Sequence, residues 1–118
     1  MMLNELEFEC REMVKRGMRM LTTDQRDRVD LARLDVQSDG DCVLGQLYGD
    51  FGTGVSALFG DAENEELREA ARCGFFVAAA TPNYWSRYPM LTCIWADMLR
   101  KEREIRELNA LLEPIGSF

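Results

Sequence analysis

The sequence predicts a mainly α protein: one compact helical domain over residues 1–118, with a long C-terminal helix and at most a short β-hairpin, which leaves an α+β variant open. Three observations carry this. Apolar residues recur at helical spacing over residues 4–21. Glycines and acids punctuate residues 39–74 at intervals that suit short, capped helices. After Pro89, Leu91, Met98, Ile105 and Leu112 fall at intervals of seven. A chain of 118 residues supports one modest core.

Leu3, Leu6, Cys10, Met13, Val14, Gly17 and Leu21 share one face of the first helix, with Asn4 and Glu7 placed as a capping box. Thr22 and Thr23 end that pattern. Residues 24–41 are acidic and turn-rich. Val29/Leu31 and Leu34/Val36 alternate as two short extended segments would, and a single helical turn at Ala32–Leu34 fits equally well. Gln37 to Asp41 is a turn by composition. Asp39 or Asp41 caps a second helix from about Cys42 to Tyr48, and Gly49–Gly52 interrupts it. A third helix runs from about Gly52 to Phe59 and stops at Gly60. Asp61 caps a fourth, from about Ala62 to Arg72, with acids in its first turn and Leu67, Ala70 and Ala71 facing inward. Gly74 suits a left-handed cap, Phe75–Val77 a short strand, and Thr81–Asn83 a turn. Pro89 suits the first position of the last helix, which runs to about Leu112. Trp95 belongs to its apolar face.

Composition restricts function. The chain has no histidine, which excludes Ser-His-Asp and Cys-His catalysis. Cys10, Cys42, Cys73 and Cys93 are dispersed, and in a chain without an export signal they read as free, buried thiols. Cys42 falls at a helix N-terminus, where a thiolate is favoured, but Asp39 and Asp41 oppose the charge. Asp35, Ser38, Asp39 and Asp41 lack the spacing and closing glutamate of a calcium loop. Gly52 to Ala57 matches G-x-G-x-x-A but follows a helix, not the strand that a dinucleotide site needs. The expectation is therefore no catalytic residue, no cofactor and no metal. The longest apolar stretch, Phe75 to Thr81, is far short of a membrane span, so the chain is expected in the cytoplasm and off the membrane.

The net charge of −7 lies entirely in residues 22–72, which hold twelve acids and five bases. That excess disfavours direct nucleic-acid binding and suits a basic protein partner, or mimicry of nucleic acid. Gly45, Gly49 and Gly52 line a stripe that lets another element, such as the C-terminal helix, approach between Tyr48 and Phe51. Tyr84, Trp85, Tyr88 and Trp95 cluster at the entry to the last helix and suit core filling; the alternative is that Tyr84, Trp85 and Arg87 are exposed, as residue types that dominate interfaces.

Arg28-Val29-Asp30-Leu31-Ala32-Arg33-Leu34-Asp35-Val36, then Asp41-Cys42-Val43-Leu44-Gly45-Gln46-Leu47-Tyr48-Gly49, resembles a family of small uncharacterised proteins encoded by bacteriophages and prophages, especially of Gram-positive hosts. Gly74-Phe75 and Tyr88, Leu91 and Trp95 stand where the family has a G-F segment and its final helix. The likeness covers about residues 26–100. Many members carry a second cysteine three residues before the motif cysteine; here that position is Asp39, so a metal or redox role for such a pair does not transfer.

The resemblance implies phage origin and carries no activity that transfers. Together with the missing catalytic apparatus and the acidic middle third, it leads to the expectation of a non-enzymatic protein that binds and inhibits or redirects a host factor, such as a CRISPR-Cas defence component that itself binds nucleic acid. Its candidate contacts are Asp24, Asp27, Glu63, Glu65, Glu66 and Glu69, with Tyr84, Trp85 and Arg87. The alternative expectation is a structural or assembly protein forming a homodimer through Leu91, Met98, Ile105 and Leu112.

Overall fold

In a computed structural model, residues 3–61 and 63–116 are described, with side chains over 4–61 and 63–112. The first helix, α1 (Leu3–Arg19), buries Leu6, Cys10, Met13, Val14 and Gly17 on one face, as its period demands. Asn4 lies inside its first turn, so it is not the cap. The capping box forms one helix later. Thr22 Oγ accepts from the Gln25 N–H, and the Gln25 side chain accepts from the Thr22 N–H, opening α2 (Thr23–Arg28). No residue of α2 is buried. It is held by polar contacts: the Arg26 guanidinium donates to the Met18 carbonyl at 2.8 Å and to Glu102 at 3.0 Å.

Residues 29–42 form a chain of turns and no strand, which corrects the hairpin reading; one turn closes at Asp30–Arg33. The side chains of Asp30 and Asp35 accept from backbone N–H groups two residues on, so local polar bonds win over sheet pairing.

Residues 41–49 turn the chain into the next helix. The N-cap of α3 (Val43–Tyr48) is Cys42, whose Sγ accepts from the Gly45 N–H at 3.2 Å; neither Asp39 nor Asp41 caps it. Gln46 clamps the preceding turns: its Oε1 accepts from the Asp30 N–H, and its Nε2 donates to the Asp30 and Asp41 carbonyls. A Cβ on Gly45 would sit 2.8 Å from the Gly40 carbonyl carbon and closer still to the Asp39 carbonyl oxygen. The element admitted by this glycine is thus the 39–40 turn, not the C-terminal helix. Gly49 and Gly52 meet no such crowding, and Gly49 serves instead with φ +95°. Asp50 caps α4 (Phe51–Phe59) through the Thr53 N–H, and Gly60 ends it with φ +100°. Gly54 lets α4 press onto Leu44 of α3.

The fifth helix, α5 (Asn64–Arg72), starts later than the sequence predicts. Glu63 occupies its N-cap position and makes no side-chain capping bond. Ala70 faces the core, with Leu67 and Ala71 half-buried. Phe75 lies in a bend and Phe76–Val77 in irregular chain, so no strand forms among the described residues. The Gly74 carbonyl is taken by a side chain: Trp95 Nε1–H donates to it at 2.7 Å.

The last helix, α6 (Tyr84–Gly116), begins five residues before Pro89, directly after the Thr81–Asn83 turn. Its first turn is tied down by Arg87, whose Nε donates to the Pro82 carbonyl at 2.9 Å. Helices α1 and α6 pack along each other, with Tyr88, Leu91, Ile94, Trp95 and Leu99 facing the core. Trp95 is the keystone. Its ring stacks on Phe75 with centroids 5.4 Å apart, and it lies over Gly17 of α1. No helix of the described residues is long and apolar enough to cross a membrane.

Candidate functional site

The twelve acids of residues 22–72 divide into three groups. The carboxylates of Asp30, Asp35, Asp39 and Asp50 accept from backbone N–H groups and hold turns or a helix cap. Asp24, Asp27, Asp41 and Glu69 are in ion pairs with Arg28, Arg106, Arg33 and Arg72. The remaining four, Asp61, Glu63, Glu65 and Glu66, make no side-chain hydrogen bond or ion pair among the described residues. They follow one another into the first turn of α5. The negative charge of residues 22–72 that turns and ion pairs do not engage therefore gathers on one edge.

That edge borders an apolar groove. Leu67, Ala71, Phe76, Ala78 and Ala79 line it, with Asn64, Arg68 and Arg72. Asn64 and Arg68 also belong to the acidic hollow formed with Glu63, Glu65 and Glu66. The surface offers carboxylates beside aliphatic and aromatic contact area, a combination that suits a cationic protein segment with an apolar anchor.

Other expected contact residues separate. Trp85 is 74% exposed and stacks edge-on against Tyr84 at 4.9 Å, so this aromatic pair is accessible. Arg87 is only 3% exposed and is a correction. Its Nη2 pairs with Glu9 of α1 at 3.1 Å while its Nε holds Pro82, so it is committed to the fold. Asp27 is likewise engaged, since Arg106 and Arg103 of α6 both reach it. The expected dimer seam also divides. Leu91 is fully buried and Met98 half-buried, so neither is free to face a partner, while Ile105 and Leu112 are exposed. Leu108 and Leu111 join them in a stripe that a strict interval of seven does not reveal.

Among the described residues no group of three His, Cys, Asp or Glu side chains could hold a metal ion. Cys10, Cys42 and Cys73 are buried free thiols, and burial pushes each thiol above its ordinary range. They are packing residues. Cys93, expected buried, is exposed, because it lies on the outer side of α6. Native protein treated with iodoacetamide is expected to gain one adduct, at Cys93, and three more only after unfolding; intact-mass spectrometry reads the difference.

The ion pairs set an acid limit on stability. Arg106 beside Asp27 and Lys101 beside Asp97 hold those carboxyls below the usual range, and bonds from Thr53 do the same for Asp50. A carboxyl depressed in the folded state contributes stability that is present above its unfolded value of roughly 4. That contribution is lost as pH falls through the folded value. The urea midpoint is therefore expected to hold between about pH 7 and 5 and to drop below about pH 4. A midpoint that rose on acidification would contradict these pairings.

The chain matches no protein-family profile, no curated protein and no solved structure.

Proposed function

We propose that this chain is a phage-encoded, non-enzymatic protein that binds a host factor inside the infected or lysogenic cell and inhibits or redirects it. A CRISPR-Cas effector, or another defence protein that works on nucleic acid, is the leading target. The observation that supports this reading is the sorting of the acids. Eight of the twelve in the central segment are consumed by turns and ion pairs, and the four left over stand together at the start of α5. Carboxylates clustered on one edge attract the surface that a nucleic-acid-binding protein offers to phosphates, and they speed encounter with it. The adjoining groove at Leu67, Ala71 and Phe76 supplies apolar area, which charge alone does not.

Acids in the first turn of α5 also favour that helix end, by about 0.3–1 kcal/mol each. This local benefit does not require four of them, nor a groove beside them. The test is affinity capture of the tagged protein from nuclease-treated host lysate, with and without an expressed CRISPR-Cas system. The expected result is one partner at a stoichiometric ratio that survives the nuclease. Recovery of the tagged protein alone from both lysates would contradict the proposal.

A further inference from the structure

We propose that α2 and residues 100–106 of α6 form a polar clasp that opens as one unit, separately from the core, and that ionic strength sets how often it opens. The proposal does not rest on the acidic edge, which belongs to α5.

The starting point is what holds residues 22–28. Leu21 and Val29 are buried and pin this segment at both ends, while α2 between them buries nothing. Its anchors are polar. Arg26 Nη1 donates back to the Met18 and Leu21 carbonyls at the end of α1, and its Nε meets both Glu102 oxygens at 3.0 and 3.1 Å. Gln25 donates to the Tyr48 hydroxyl at 2.9 Å. Asp27 accepts from Arg106. Arg103 supplies a cap for the end of α2. Its Nη2 donates to the Arg26 and Val29 carbonyls at 2.7 and 2.8 Å, groups that a helix end leaves without an intrahelical partner.

The far half of α6 depends on the same contacts. Leu99 is its last buried residue among those described. Among the described residues, every side-chain hydrogen bond or ion pair from residues 100–112 to another part of the fold ends on residues 26–29. Helix α2 and this stretch of α6 therefore hold each other, with no apolar anchor in either. The network is also incompletely satisfied. Arg103 Nε and Arg106 Nε are buried and have no acceptor among the described residues, which lowers the cost of opening. Its charged groups are partly exposed, so salt screens them. A helix end released from the body frays. The clasp thereby links two distant segments. An anionic group that takes Arg103 or Arg106 also frees α2, and a cationic group that takes Asp27 also frees the end of α6.

Amide hydrogen exchange, read residue by residue by NMR, tests this. In the parent, the amides of residues 26–28 are expected to exchange faster than those of residues 10–14 in α1. Raising salt from about 0.05 M to about 1 M is expected to speed residues 26–28 by about tenfold and to leave residues 10–14 unchanged. Arg103→Gln is expected to reach the faster rate at low salt. Asp27→Asn is expected to speed exchange at residues 103–110 as well as in α2. Exchange of α2 at the rate of residues 10–14 overturns the proposal, because α2 then opens only with the whole fold. So does a rate that neither salt nor Arg103→Gln changes. An Asp27→Asn effect confined to α2 overturns the single unit, and equal acceleration of residues 10–14 in either variant overturns the separation from the core.

Discussion

Replacing Gly17 with alanine is expected to destabilise the fold by at least about 2 kcal/mol, although the same change in an open helix site stabilises. The helix-propensity gain is about 1 kcal/mol. Against it, the new Cβ would lie 2.6 Å from the Trp95 ring and closer still to the Cys73 carbonyl oxygen. Neither can yield cheaply. The ring is stacked on Phe75, and the carbonyl belongs to the turn whose next residue, Gly74, sits at φ +75° against Val14. Overpacking of this kind costs typically 1–3 kcal/mol and sometimes more, and here a backbone atom is in the way, so roughly 3 kcal/mol or more is the relevant figure. Urea unfolding of the two proteins measures it. A variant equal to or more stable than the parent would show that α1 and α6 do not meet at Gly17.

Trp95→Ala is expected to cost more, about 3–5 kcal/mol from lost packing and the cavity left behind. It also orphans the Gly74 carbonyl, at about 1–3 kcal/mol. A domain of this size has of the order of 5–15 kcal/mol in total. The variant should therefore be partly or wholly unfolded at 37 °C. Trp95→Phe keeps a ring against Phe75 but loses the Nε1–H donor, and it should fall between the two in a thermal melt. Equal melting temperatures for Trp95→Ala and the parent would contradict the keystone role. Emission from Trp85, the other tryptophan and an exposed one, provides a reference that does not depend on the core.

Both residues were legible in the sequence as parts of apolar faces, because burial imposes the helical period on α1 and on the first half of α6. The short helices α3 and α4 were legible for a different reason: glycines at φ +95° and +100° end them, and few other residues fit there. Helix α2 was not legible from periodicity. Its six residues bury nothing, so no apolar pattern exists to be read, and the only sequence signal is Thr22 with Gln25 three residues on. Phe75–Val77 has the composition of a strand, but no partner strand lies beside it and side chains of α6 take its flanking carbonyls instead.

The candidate surface was legible in part. Charge counting placed the excess acid in the central third, but it could not separate a carboxylate that holds a turn from one that faces solvent. Asp27 and Glu63 look alike in a composition, yet one is bound to Arg106, which lies 79 residues away in the chain, and the other has no partner among the described residues. Arg87 was misplaced for the complementary reason. Its neighbours Tyr84 and Trp85 suggest an interface, whereas Glu9 and Pro82 draw it inward. The seven-residue interval in α6 likewise joined Leu91, a core residue, to Ile105 and Leu112, which face away from the body, because a periodic pattern does not record where the body of the protein ends.

The proposed engagement of a cationic partner by the unpartnered acids at the start of α5 is tested by parallel capture of that partner by the parent and by a Glu63→Lys, Glu65→Lys, Glu66→Lys variant, each first shown by circular dichroism to be folded. The partner is expected to be retained by the parent, lost from the variant, and released from the parent as salt rises through about 0.5 M, where exposed charges are screened within about 4 Å. Retention of the partner by the folded triple variant at the parent's level would contradict it.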